Sequence, residues 1–179
     1  MVQTCQPAVN RQVVVGISDC RVTNDASTSI VTYALGSCIA VAIYDPVARV
    51  GGMLHLMLPE SSLDTAKAER NPYMFADTGI PLLFRQAYAA GADKKRLVVR
   101  LAGGAQVMDE AGIFNVGKRN CLTVRKVLWR AGVMISAESV GGRESRTVRL
   151  EVGTGRFLMR TAGGAEQELD GRSDGKAQQ

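Results

Sequence analysis

Aromatic residues are scarce: Phe, Tyr and Trp make up 5% of the 179 residues, with a single Trp. A protein that stacks bases on rings needs more, and the formal net charge of +5 does not replace them. Lys and Arg between residues 94 and 160 are interleaved with Asp and Glu instead of being gathered with aromatics, so no nucleic-acid partner is expected. Histidine is rarer still. His55 stands alone, and the four cysteines, at 5, 20, 38 and 121, include no Cys-x-x-Cys pair. Such a set builds neither a structural zinc site nor a disulfide framework, and no metal is expected. No apolar run is long enough for a bilayer, and the opening MVQTCQPAVNRQ lacks the basic head and apolar stretch of a secretory signal. The expectation is a cytoplasmic protein with reduced thiols and no membrane insertion.

What is present is ordinary globular material, 46% hydrophobic and 22% charged. The pattern divides into a flexible N-terminal arm over residues 1–11, one domain over 12–165, and a polar, Gly-rich tail over 166–179. QVVVGIS, IVTYAL, IAVAIYD and VGGMLHLML read as strands. The third and fourth are apolar on both alternating faces, Ile39, Val41 and Ile43 on one side and Ala40, Ala42 and Tyr44 on the other, which suggests a sheet covered on both sides. FADTGIPLLFRQAYAAG, with Asp77 as a candidate N-cap, reads as one helix. VGKRNCLTVRKVLWRAG, apolar at 121, 124, 128 and 131, reads as a second. KRLVVRLAGGA and three Gly-punctuated strands complete an α+β or α/β sandwich whose end is expected to be antiparallel. AGGAQ and VGKRN lack the spacing of a phosphate-binding loop, and no nucleotide cofactor is implied.

The stretch TYALGSCIAVAIYDPVARVGGMLHL contains Cys38 and His55. DPVA has the residue choice of a type I turn. A hairpin centred between Pro46 and Val47 pairs residues whose numbers sum to 93, which sets Cys38 opposite His55 on one face. A bulge at Gly51 and Gly52 would shift that register. A thiol beside an imidazole is the arrangement nucleophilic thiol catalysis requires, with the imidazole as base. Gly36 and Ser37 before the thiol permit a tight turn with amides available to an oxyanion. Two buried core residues are the bland alternative, and for an isolated Cys–His pair the commoner one.

The longer motifs are more specific. TYALGSCIAVAIYDPVARVGGMLHLMLP, YMFADTGIPLL, LAGGAQVMD, NVGKRN, AESVGGRESRTVRLEVGTG and GGAEQ occur in order across about residues 12–165. In them the chain resembles the chemoreceptor glutamine deamidase (CheD) family. The resemblance implies an α/β sandwich related to the catalytic domains of cytotoxic necrotizing factors. It implies Cys38 as nucleophile, His55 as base and Thr32 as the third member of the site, acting on glutamine side chains of methyl-accepting chemotaxis receptors without a cofactor. It further brings a CheC-type phosphatase as a candidate partner, and a non-catalytic chemotaxis adaptor as the competing function. The GGRESR segment and Ser139 depart from the pattern seen in many members, and neither departure touches Cys38, His55 or Thr32.

Overall fold

The chain is described here by a computed structural model covering residues 11–106 and 115–170. Its strands are β1 (Arg11–Val14), β2 (Asp19–Thr23), β3 (Thr28–Leu35), β4 (Ile39–Asp45), β5 (Val50–Leu56), β6 (Val98–Gly103), β7 (Ala137–Val140), β8 (Arg146–Glu151), β9 (Phe157–Thr161) and β10 (Gln167–Glu168). The helices are α1 (Thr65–Arg70), α2 (Ala76–Ala89) and α3 (Val116–Arg130). Two mixed five-stranded sheets form, one in the order β1-β3-β8-β9-β10 and the other β2-β5-β4-β6-β7.

The largely apolar strands β4 and β5 occupy the middle of the second sheet, and every residue in both, Asp45 and His55 included, is buried. Ile39, Val41, Ile43, Leu54 and Leu56 pack against Ile80, Leu83 and Phe84 of α2 and Val124 and Leu128 of α3. Ala40, Ala42, Tyr44 and Met53 face the other way, into Ile30, Leu35, Val148, Leu150 and Phe157 of the first sheet. The layers therefore run helices, second sheet, first sheet. This is the α+β sandwich the sequence implies, with cover on both faces of the β4–β5 ladder.

Several details differ from expectation. The β4–β5 hairpin pairs Asp45 with Val50 and Ala40 with His55, so its numbers sum to 95 and Cys38 is not opposite His55. The cause is a four-residue loop. The Asp45 carboxylate accepts from the amides of Val47 and Ala48 at 2.9 and 3.0 Å, and Arg49 closes the turn in the left-handed region at φ 51°. Asp45 is fully buried. Burial opposes its ionisation, but the Arg96 guanidinium and the amides of Asp93, Ala48 and Val47 outweigh it and hold the carboxyl well below the usual range.

No bulge forms at Gly51 and Gly52, which pair in unbroken register with Tyr44 and Ile43, and both positions are crowded. A Cβ on Gly51 would lie 2.9 Å from Val152 of the first sheet, and one on Gly52 would lie 3.0 Å from Leu83 of α2. Asp77 is not the N-cap of α2, which is Phe75. Asp77 sits in the first turn and accepts from the amide and hydroxyl of Ser61. Of the end expected to be antiparallel, β8, β9 and β10 do pair that way, but β7 lies parallel to β6; β2 and α1 were not foreseen. At the ends, Arg11 already belongs to β1. Gln167 and Glu168 pair with β9, and Leu169 is buried, so the sheet runs into the stretch read as tail. The remainder of the expected arm and tail, residues 1–10 and 171–179, lies outside the described residues.

Candidate active site

Thr32 and His55 come from different sheets and meet in the layer between them. On β5, Gly51 and Met53 face the first sheet, and by strand alternation His55 does too. Its Nδ1 lies 2.7 Å from Thr32 Oγ1, and both residues are essentially inaccessible to solvent. The same hydroxyl lies 2.7 Å from the carbonyl oxygen of Val15, just past β1.

That second contact fixes the proton positions. A carbonyl can only accept, so the single hydroxyl proton of Thr32 is donated to Val15. The hydroxyl oxygen then accepts from His55, and the ring proton resides on Nδ1. Nε2 carries the lone pair, and it is a buried nitrogen without a hydrogen-bond partner among the described residues. Asp19 is the register partner of His55 on β2, yet its carboxylate turns to the Arg21 guanidinium and the Cys20 amide, each at 2.7 Å. A hydroxyl, not a carboxylate, orients this imidazole.

Cys38 lies in a bend before β4, half-buried against the inter-sheet cluster. The register differs from expectation by two residues, an even number, so His55 keeps its face, while Cys38 lies one residue beyond the end of the ladder, packed against the cluster between the sheets, and no hydrogen bond joins it to His55 among the described residues. The three carbonyls of the bend are all engaged from one side. Gly36 accepts from the Ala105 amide at 2.8 Å, Ser37 from Asn120 Nδ2 at 2.9 Å, and Cys38 from the Gly104 amide at 2.8 Å. In a trans peptide the N–H points opposite to the C=O, so the amides of Ser37 and Cys38 are directed away from that side.

The approach of the Gly103–Gly104 turn is close: a Cβ on Gly103, at φ 111°, would stand 2.2 Å from the Cys38 carbonyl oxygen. On the other flank β3 bulges between Thr32 and Leu35, with Ala34 left-handed at φ 54° and Tyr33 exposed. An open cleft of about 530 Å³ lies beside Tyr33, Ala34 and Thr147, and one of about 310 Å³ beside Gly104 and Gln106.

Burial acts on the two reactive groups in opposite directions. It pushes the Cys38 thiol up from its ordinary value and lowers the His55 imidazolium to about 4. At neutral pH the resting pair is thiol and neutral imidazole. Cys20 is pushed up to about 12, chiefly by burial, and Cys121 is also raised by burial. Cys5 lies outside the described residues. Among the described residues no three His, Cys, Asp or Glu side chains are grouped to hold a metal ion. No helix among them is long and apolar enough to cross a membrane.

Residues 57–161 match the sequence model of CheD, described as chemotactic sensory transduction. A protein of Solibacter usitatus named probable chemoreceptor glutamine deamidase CheD is 52% identical over 158 residues, which cover 88% of this chain and 93% of that one. The chain belongs to the CheD family. A Syntrophus aciditrophicus relative, probable chemoreceptor glutamine deamidase CheD 1, is 53% identical over 88% of this chain and 98% of its own. The chemoreceptor glutamine deamidase CheD of Thermotoga maritima is 41% identical over 86% and 94%. Thr32, Cys38 and His55 precede the part matched by the CheD model, but a contiguous match of 158 residues in a chain of 179 takes in all three wherever it starts. Among solved structures, Bacillus licheniformis hypothetical protein YfiH aligns with a TM-score of 0.40 at 14% identity, over 69% of this chain and 49% of that one.

Two residues that shape this CheD site had no chemical signature in the sequence. Val15 contributes only a backbone carbonyl. Asn120 ends the family motif NVGKRN, in which VGKRN reads from sequence only as a helix start.

Proposed function

We propose that this CheD-family chain hydrolyses the side-chain amide of selected glutamines in chemoreceptors, giving glutamate and ammonia, with Cys38 as nucleophile, His55 as general base and acid, and Thr32 orienting the imidazole. The substrate class follows the names of relatives that match nearly their whole length. The observation that carries the chemistry is the buried Nε2 of the sole histidine, without a hydrogen-bond partner among the described residues, in the layer between the sheets against which Cys38 also packs.

In the first half-reaction Nε2 takes the proton from the Cys38 thiol as sulfur bonds to the carboxamide carbon and the C=O electron pair moves to oxygen. The amides of Cys38 and Ser37, turned away from α3 and supported by the bend at Gly36, are the donors suited to that oxyanion. The oxyanion collapses, the C–N bond breaks, and the nitrogen leaves as ammonia with the proton from Nε2. Water then attacks the thioester while giving a proton to Nε2. The C–S bond breaks, and that proton returns to sulfur. Throughout, Nδ1–H stays on Thr32, which spares the ring from rotating between steps.

A CheC-type phosphatase as regulatory partner and a location in the cytoplasm belong to the same family reading. Mass spectrometry of purified receptor incubated with the enzyme tests the proposal. Wild type should produce the mass gain of Gln to Glu at particular sites, and Cys38→Ala should produce none. Equal conversion by both proteins would overturn it. Chemotaxis undiminished in a Cys38→Ala strain would favour an adaptor instead.

A further inference from the structure

The β4–β5 ladder ends at the pair Ile39 and Leu56. One step further along, the strands separate: Cys38 is in a bend, and Met57 donates its amide to Met74 at 2.9 Å. The gap between them is bridged from α3. Asn120, 0% exposed, donates from Nδ2 to the carbonyl of Ser37 at 2.9 Å and to the carbonyl of Met57 at 3.0 Å. A single NH₂ group with two protons thus spans two carbonyls beyond the end of the ladder, one on the residue before Cys38 and one two residues after His55. The start of α3 is fixed in turn, because a Cβ on Gly117 would lie 2.4 Å from the Gly104 carbonyl oxygen, in the turn whose amide holds the Cys38 carbonyl.

We propose that Asn120 is a positioning residue that sets the separation of Cys38 from His55 by bridging the splayed ends of the strands that carry them. The residue type fits the task. Two facing carbonyls need two protons from one short side chain; Ser and Thr offer one, and an ionised Asp offers none. Asn120 also leaves its Oδ1 buried without a partner among the described residues, a cost an apolar packing residue would avoid. Its contribution is therefore to be sought in the geometry of the site.

The inference rests on the Cys–His reading above, and its test does not require the receptor. The rate at which iodoacetamide alkylates Cys38 at pH 7, followed by mass spectrometry of the Cys38 peptide, reports assistance by the imidazole. His55→Ala should slow it. Asn120→Asp, which keeps the size and removes both N–H groups, and Asn120→Ala should slow it to a similar rate, and Asn120→Asp combined with His55→Ala should be no slower than His55→Ala alone. With receptor as substrate, kcat should fall by about tenfold to a hundredfold while KM stays within about threefold, since a misplacement of about 1 Å costs on that scale.

Multiplying effects in the double variant, or wild-type alkylation of Asn120→Asp, would overturn the positioning role alone. Wild-type alkylation of His55→Ala would remove the Cys–His reading and this inference with it. Should the Asn120 variants fail to fold, the side-chain amide resonances of Asn120 in the native protein decide. They must shift when Cys38 is alkylated, and resonances that do not move refute the bridge.

Discussion

Replacing Thr32 by Val is the sharpest test of the proton arrangement, because the shape is kept while one donor and one acceptor vanish. In the native site the hydroxyl gives its proton to the Val15 carbonyl and receives one from His55 Nδ1, both at 2.7 Å. Each of the two buried polar groups left unpaired costs about 1–3 kcal/mol, so Thr32→Val should lower stability by roughly 2–6 kcal/mol. The kinetic effect has a separate origin. Without the oxygen, the tautomer with its proton on Nδ1 loses one hydrogen bond relative to the tautomer protonated at Nε2, which cannot accept the thiol proton. At about 1.4 kcal/mol per factor of ten, that loss lowers kcat by roughly fivefold to a hundredfold, with KM little changed because Thr32 is out of reach of substrate. Thr32→Ser keeps both hydrogen bonds and should retain most of kcat. Ammonia release at saturating receptor measures the rate, and ¹⁵N shifts of the His55 ring report the tautomer. A Thr32→Val enzyme with wild-type kcat and its proton still on Nδ1 would refute the reasoning.

The acid limb of kcat should titrate near 4, not near 6.5, because burial depresses the imidazolium; a limb at 6.5 would mean a solvated ring. The same group sets a stability window. Between pH 6.5 and about 4 the unfolded chain binds a proton that the folded chain does not, so stability falls as pH drops through this range, by up to about 3 kcal/mol. Urea midpoints of wild type and His55→Gln should therefore converge or cross on acidification, and a difference independent of pH would count against it. Alkylation of Cys38 should keep rising beyond pH 9, since its thiol is pushed up by burial, whereas a plateau at neutral pH would reveal a preformed thiolate. Gly103→Ala would bring a Cβ within 2.2 Å of the Cys38 carbonyl and should abolish activity, while Gly163→Ala, left-handed at φ 74° but in open space, should cost only about 1 kcal/mol in thermal unfolding and no activity.

The sequence was informative where side chains declare their surroundings. The apolar residues on both alternating faces of β4 and β5 announced a sheet covered on both sides, and the spacing of Cys121, Val124 and Leu128 announced the buried side of α3. DPVA announced a turn but not its length, because the residue that closes the loop in the left-handed region is Arg49, a type that does not advertise that conformation. The resulting error of two residues left every face assignment intact. An error of one would have turned Cys38 away from His55. The stretch that forms β2 has only Cys20 and Val22 on its buried side, with Arg21 between them, too short a pattern to separate from a loop. The Val15 carbonyl and the reach of Asn120 to Ser37 and Met57 arise from contacts between elements far apart in the chain, and local patterns do not carry them.

Burial of both reactive groups has a consequence for how reactivity is allotted. A thiol raised and an imidazolium lowered by the same cause make spontaneous proton transfer unfavourable, so the ion pair typical of more solvated thiol sites is not the resting state here. Under the proposed mechanism, transfer to Nε2 becomes favourable only as sulfur bonds to carbon, and most of all where negative charge moves onto a carboxamide oxygen that the bend's amides can stabilise. The thiol is then a weak nucleophile toward small electrophiles in water and a competent one toward an amide seated at the turn. A neutral hydroxyl at Thr32 suits this order of events, since it fixes the tautomer without stabilising the imidazolium as a carboxylate would. Activation is thereby coupled to substrate placement, and the backbone bonds that set the Cys38 bend matter to the chemistry as much as the pair itself.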